Sequence, residues 1–548
     1  MPILLRRGRI HAPGHPEATA LLVDGGIEGG TDSGTVVWIG DEDGADRYAD
    51  ATTVDLGGAF VTPAFVDAHV HTTATGLAIT GLDLRGCGSL AEALAAVEAV
   101  ARRTGGRPIL GGGWDETAWP EGRPPTSVEL DRASYGGLVY LARVDIHSAV
   151  ASSSLLAAVP DLAGSPGAGV DGWVREPAHD RVREAALQAL TAGQRRDAQR
   201  AALQAAAALG IACVHEMAGP IISGEDDLTG VLRLAAAEAL PEVIGYWGEL
   251  MAVERARELG AAGAAGDLFV DGSLGSATAA LHEPYHSHPD TCGVLRFSTE
   301  ELTEHIAACL AAGLQAGFHA IGDAAVDQAL AAFDAVSVRL GRPAGAGQRL
   351  EHVEYVRDPT RLAASGLLAS MQPCFDALWG GTSGMYARRL GPTRALDLNR
   401  FGELASAGVP LAFGSDSPVT DLGPWQAVRA AAYPCDPGAA ISPRAAFTAH
   451  TRAGWRAANR HGEGVLTPGA PATFAVWRAG ELAVDAPDER VSRWSTDPRA
   501  AVPGLPDIAP GAELPTCRAT VLRGRPIFDD GLLAEAGVTP GRLLSEGR

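Results

Sequence analysis

The residues able to do chemistry in this chain are histidines and carboxylates that fall at the ends of short apolar stretches. The first such stretch is Phe65-Val66-Asp67-Ala68-His69-Val70-His71. Alternate side chains of a strand share a face, so His69 and His71 point the same way and can grip one divalent cation. On its own the pair is equally compatible with two ordinary surface imidazoles. Later stretches repeat the pattern. Ile211 to Glu216 ends in His215 and Glu216, and Asp267 to Ser273 carries Asp267 and Asp271. Ala316 to Asp323 carries His319 and Asp323, Arg349 to His352 ends in Glu351 and His352, and Leu411 to Pro418 carries Asp416. A single strand-end histidine is ordinary, but several on one face of one sheet imply a common centre. Neutral imidazoles and a carboxylate hold a zinc-like ion while leaving a position open for water, whose pKa then falls to about 7.

Such a centre needs a scaffold that brings many strand ends to one face. Ser298-Thr299-Glu300-Glu301 is a capping box that opens a helix ending at Gly313, and residues 323–340 are apolar at helical spacing and stop at Gly341. Short apolar strands are predicted at 315–318, 349–353, 367–371 and 410–413. Strand and helix alternate without hairpin turns, which predicts a parallel sheet with crossover helices, closed as a (β/α)8 barrel over residues 61–459. Strand-like segments at both ends (20–24, 35–40, 53–56, 473–477 and 517–524) predict a small β-sandwich assembled from residues 1–60 and 460–548. Residues 76–169 exceed one barrel unit and contain their own helix, so they are read as an insertion after the first barrel strand, a lid or subdomain.

Bulk properties exclude other classes. The 548 residues carry a net charge of −22, which would repel a phosphate backbone, and nucleic-acid binding is not expected. No lysine occurs, and all 44 basic residues are arginine. The seven cysteines are scattered and never form Cys-x-x-Cys, so neither a disulfide framework nor a structural zinc knuckle is expected. With no leader-like start and no membrane-length apolar run, the expectation is a cytoplasmic protein. A homodimer is the expected assembly.

Pro63-Ala64-Phe65-Val66-Asp67-Ala68-His69-Val70-His71, Asp271-Gly272-Ser273-Leu274-Gly275-Ser276, His319-Ala320-Ile321-Gly322-Asp323, Glu351-His352, Gln372-Pro373 and Ser415-Asp416-Ser417-Pro418-Val419 occur in that order. With these pieces the chain resembles the amidohydrolase superfamily, in its YtcJ-like, family 3 branch. The resemblance implies a metal-dependent hydrolase that cleaves an amide, N-acyl or N-formyl bond of a small molecule. It also implies metal-centre roles for His69, His71, His319, His352 and Asp416. Asp416 would further act as the proton acceptor, and His352 would serve acid–base or oxyanion duty. Many relatives carry a carboxylated lysine at the position of Asp267, where it bridges two metals. A lysine-free chain cannot form that carbamate, and Asp267 falls about 5 Å short of its reach. Either the strand shifts so that Asp267 or Asp271 turns inward, or the site holds one ion. One zinc ion is favoured, with a second ion bridged by Asp267 as the alternative.

The substrate-binding candidates are Trp114 and Asp115 in a Gly-Trp-Asp segment, His147, His215, Asp271, Asp323 and Gln372. For Trp114 the alternative is a packed tryptophan in a turn. Only one of His215 and Glu216 can face inward. His282, His286 and His288 lie in a Pro-containing loop and are read as surface residues. Alternative chemistries on the same fold are hydrolytic deamination and lactone or ester hydrolysis. A metal-free, non-catalytic barrel is the reading from a different class.

Overall fold

The structure is a computed structural model that describes residues 2–24, 34–144, 148–169, 171–483 and 504–538. The chain divides into two compact units, Met1–His71 with Leu203–Arg548, and Thr72–Ala202.

The first unit contains an eight-stranded parallel sheet. In chain order its strands are β1 (Phe65–Val70), β2 (Ile211–Ala218), β3 (Glu242–Trp247), β4 (Gly263–Ala264), β5 (Gln315–Ala320), β6 (Arg349–His352), β7 (Leu368–Met371) and β8 (Leu411–Phe413). Neighbours in the sequence are neighbours in the sheet, as successive right-handed crossovers require. The segment beyond β8 closes the ring onto β1, where Asp416 N–H donates to the His69 carbonyl at 2.8 Å and His71 N–H to the Ser417 carbonyl at 2.9 Å. The fold is therefore the (β/α)8 barrel expected from the alternating texture.

The helices that position β5 and β6 are those with the clearest local signals. Thr299–Ala312 starts at Ser298, whose side chain and that of Glu301 cap each other reciprocally, and it ends at Gly313 with φ 71°. Its Leu302, Ile306 and Cys309, spaced three and four apart, are buried against the sheet. Asp323–Leu340 ends at Gly341 in the same left-handed conformation.

The barrel interior is polar. Arg349 stands over the Tyr246 ring at 4.7 Å, and the Tyr246 hydroxyl donates to Gln315 Oε1 at 2.7 Å.

The two chain ends form two further sheets. One has the order Thr35–Gly40, Ala20–Asp24, Pro2–Arg6, Thr52–Asp55. The other mixes both ends, in the order Arg9–Ile10, Phe60–Pro63, Phe474–Arg478, Thr516–Leu522, Arg525–Asp529. Their inner faces share one apolar core that includes Leu5, Leu21, Val54, Val61, Val476 and Val521. This is the two-ended β-sandwich.

The second unit carries its own five-stranded sheet, in the order Trp173–Arg175, Ser148–Ala151, Val139–Arg143, Ile109–Trp114, Leu82–Asp83. Helix Leu90–Thr104 buries Leu90, Ala93, Val97 and Ala101, and helix Glu176–Gln188 adds Ala178, Val182 and Ala186 to a second core. The segment expected as an insertion at 76–169 thus lies within a unit that extends to Ala202. Among the described residues no helix is long and apolar enough to cross a membrane, and all seven cysteines are free.

Candidate metal centre

Imidazoles and carboxylates from five segments converge at the carboxyl end of the barrel, where such folds place their reactive groups. His69 and His71 end β1, His319 lies on β5 and His352 ends β6; Asp267 and Asp416 follow β4 and β8. His69 Nε2 is 3.5 Å from both Asp267 Oδ1 and Asp416 Oδ1. His71 Nε2 is 3.2 Å from Asp267 Oδ2 and 3.1 Å from Asp416 Oδ1. His319 Nδ1 and His352 Nε2 each lie 3.5 Å from Asp267 Oδ1.

Each ring is oriented by its other nitrogen. His69 Nδ1–H donates to Glu351 Oε2 at 3.0 Å, and His71 Nδ1–H to the Met217 carbonyl at 3.0 Å. His319 Nε2–H donates to the Gly272 carbonyl at 3.1 Å, and His352 Nδ1–H to Gln372 Oε1 at 2.9 Å. With those nitrogens committed as donors, the remaining ring nitrogens face the Asp267 and Asp416 carboxylates. His69 Nε2, His319 Nδ1, His352 Nε2, Asp267 Oδ1 and Asp416 Oδ1 are buried and have no hydrogen-bond partner among the described residues. Acceptors without donors, spaced 3.1 to 3.5 Å apart, fit a divalent cation. Tetrahedral bonds of 2.0–2.1 Å imply donor separations of about 3.3 Å.

The local field agrees. Burial opposes a charged His69, yet Asp267 and Asp416 raise its pKa to about 10, so the pocket favours a positive charge at Nε2, a proton or a cation in its place. Burial likewise opposes ionisation of Asp416, but His69 and His71 hold it below the ordinary carboxylate range. The side chains of His71 and Asp416 are the most accessible of the cluster, at 14% and 9%. Water would therefore reach the centre from their side.

Backbone geometry explains how these groups meet. Glu351 and His352 are adjacent, and in a regular strand only one would face inward. Here His352 and Val353 adopt left-handed φ values of 71° and 50°, which bends the chain so that both side chains serve the site. Asp416 is also left-handed, with φ 54°. Each such residue costs about 1–2 kcal/mol, strain of the kind found where function over-determines the backbone.

Asp267 was expected on a strand and short of reach. The strand is instead only Gly263–Ala264, and Gly266, with φ 84°, turns the chain inward. Gly248 leaves room for it, since a Cβ there would stand 2.7 Å from the Asp267 carbonyl. Asp267 is 4% exposed, and its carboxylate lies within 3.5 Å of His69, His71, His319 and His352.

The remaining candidates have other partners. Asp271 is fully buried and accepts from the N–H groups of Ala280, Ile321 and Gly322, which ties two loops together. Asp323 accepts from the His282 and Ala324 N–H groups and from Arg357. His215 faces the barrel interior and accepts at Nδ1 from Arg349 at 2.9 Å. Gln372 orients His352. Trp114 lies in the core of the second unit with its indole N–H on the Leu141 carbonyl at 2.8 Å, and Asp115 caps a turn through Thr117. The packed-tryptophan alternative is the one the structure contains. Trp114→Ala should destabilise the protein by about 3–5 kcal/mol in denaturant unfolding. A raised KM with unchanged stability would restore a substrate role. His147 lies outside the described residues. His282 is a surface residue paired with Asp327 at 2.8 Å.

Three residues that support the cluster were given no role by the sequence reading. Asp67 Oδ1 accepts from the N–H groups of Ser415 and His69 and so joins β1 to the Asp416 segment. Glu351 and Arg349 form a fully buried ion pair behind His69. Their i, i+2 spacing on β6 was the available signal, because it places both on one face.

A parallel barrel with an imidazole and carboxylate cluster at its carboxyl end defines a class, the metal-dependent barrel hydrolases. A sequence model of the amidohydrolase family matches residues 52–528, and the chain belongs to that family, in its YtcJ-like branch. It is similar to Protein LONG AFTER FAR-RED 3 of Arabidopsis thaliana, 29% identical over 77% of this chain and 78% of the relative. It is also similar to the putative amidohydrolase YtcJ of Bacillus subtilis strain 168, 27% identical over 70% of this chain and 76% of that one. Among solved structures, an uncharacterized metal-dependent hydrolase from Pyrococcus furiosus superposes with a TM-score of 0.73 at 29% identity, covering 87% of this chain and 98% of that one.

Proposed function

We propose that the protein hydrolyses a C–N bond, in an amide, N-acyl or N-formyl group, of a small molecule, with one zinc ion as its cofactor. The observation that carries this reading is the convergence of imidazoles and two carboxylates, of which three ring nitrogens and one oxygen of each carboxylate are buried with no hydrogen-bond partner among the described residues. The two possible ligand groups, His69 with His71 and Asp416, and His69 with Asp267 and His352, share a ring. Asp267 also touches both, with Oδ1 towards His352 and Oδ2 towards His71. That overlap favours a single ion over two separate ones.

When bound, the ion supplies Lewis-acid chemistry towards water and the scissile carbonyl. The chain's own groups do the rest. His69, His71, His352 and Asp267, with His319 beside Asp267, would hold the ion, their second ring nitrogens locked as described. Asp416, ionised and on the accessible side, takes the proton of the attacking water and delivers it to the leaving nitrogen. His352, oriented by its Nδ1–H bond to Gln372 Oε1, points Nε2 at the cluster and would serve there as a ligand.

Dialysis against a strong chelator should lower the rate on N-acyl or N-formyl compounds by at least about 100-fold, and stoichiometric zinc should restore it. Full activity in protein with less than a tenth of an equivalent of metal would sink the reading. Product analysis separates the alternatives, because ammonia released from a ring amidine would mark a deaminase and an acid plus alcohol a lactone or ester hydrolase.

A further inference from the structure

The four rings of the centre are backed unequally. His71 donates to the Met217 carbonyl, His319 to the Gly272 carbonyl and His352 to the Gln372 amide oxygen, all neutral acceptors, and the Asp271 carboxylate near His319 Nε2 lies at 3.7 Å, beyond hydrogen-bond range. His69 alone among them donates to a carboxylate, Glu351 Oε2 at 3.0 Å. That carboxylate cannot turn away. Arg349 donates through Nε to Glu351 Oε1 and through Nη2 to Oε2 at 3.0 Å. Arg349 is itself fixed by the Ala68 carbonyl at 2.6 Å, Ser370 Oγ at 3.1 Å and His215 Nδ1 at 2.9 Å. Both charged residues are fully buried, so no solvent screens the contact. Ala68 directly precedes His69, so one guanidinium anchors the ring's backbone and the acceptor of its N–H together.

We propose that Glu351, held by Arg349, is the positioning residue that sets the cation affinity of the centre, by backing His69 with an ionised carboxylate. The inference rests on the metal-centre reading above. An acceptor behind an imidazole fixes the tautomer and strengthens the opposite nitrogen as an electron-pair donor, and an ionised carboxylate does so more than a neutral oxygen. His69 is therefore the strongest ring ligand of the four, and its strength is carried by a side chain that touches neither ion nor substrate. A packing role would not depend on charge. An electrostatic one would move with it.

The experiment measures zinc dissociation constants by competition with a chromophoric chelator for the wild type, Glu351→Gln, Gln372→Glu and the double variant, using the full chain. Unfolding of the cation-free proteins is followed alongside. Glu351→Gln keeps the shape and removes the charge, and should raise the dissociation constant at least about 10-fold. Gln372→Glu places a carboxylate behind His352 and should lower the constant. The double variant should return towards the wild-type value. If Glu351→Gln does not fold, the gain in Gln372→Glu still decides the matter. An unchanged constant in a folded Glu351→Gln, or no gain in Gln372→Glu, would overturn the inference while leaving the hydrolase reading intact. A wild-type protein that takes up no zinc would overturn that reading instead.

Discussion

Asp416→Asn should abolish hydrolysis, with kcat falling at least about 1,000-fold, while the protein stays folded. The change is isosteric, and the carboxylate lies on the accessible side of the centre, 3.1 Å from His71 Nε2. Losing a positioned proton acceptor costs about 100- to 10,000-fold, and the asparagine also weakens the hold on the ion. His69→Ala should be equally inactive for a different reason, because it removes the ring shared by both ligand groups and with it the bound ion. Steady-state rates, metal analysis and circular dichroism on the same preparations check the pair. Either variant keeping most of its rate would place the water-activating machinery elsewhere.

Arg349→Met should be the most destabilising single substitution in the barrel, by about 3–5 kcal/mol in denaturant unfolding. Arg349 and Glu351 are both at 0% side-chain exposure, and Arg349 and His69 hold Glu351 at a pKa of about 2 although burial favours its neutral form. Removing the guanidinium leaves a buried carboxylate without its counter-charge and strips the Ala68 carbonyl and Ser370 of a donor. Replacing both partners by apolar residues should recover a large part of the loss, since a buried ion pair adds little net stability over good packing. A loss below about 1 kcal/mol for Arg349→Met would show that water or a neighbouring residue takes over its role.

The two results probe different layers of one site, and those layers were not equally legible. The barrel could be read because its signals are local. The Ser298 capping box, the glycines after each helix and the alternation of strand and helix each act within a few residues. The converging histidines and carboxylates were legible for a related reason, since strand ends of a parallel barrel share one face whatever the loops do. What escaped depended on backbone geometry. Two consecutive left-handed residues let Glu351 and His352 both serve the centre, whereas strand periodicity admits only one. Asp267 reaches inward because Gly266 turns the chain and Gly248 makes space for it, and no spacing rule encodes that pairing. Trp114 misled for the opposite reason. A tryptophan beside glycines and an aspartate has the composition of a binding loop, yet the Leu141 carbonyl claims its N–H inside a core. Helix Glu176–Gln188 lies beyond the 76–169 insertion expected from the sequence, and its packing on Val174 and Tyr140 assigns it to the second unit.

Asp267 also changes what the site needs in order to exist. A carbamate ligand has to be assembled after translation, from an unprotonated amine and dissolved carbon dioxide, and it reverts when either is scarce. An aspartate arrives with the ribosome's product. Occupancy of this centre should consequently be indifferent to bicarbonate supply, so that the protein matures with no reactant other than the ion itself.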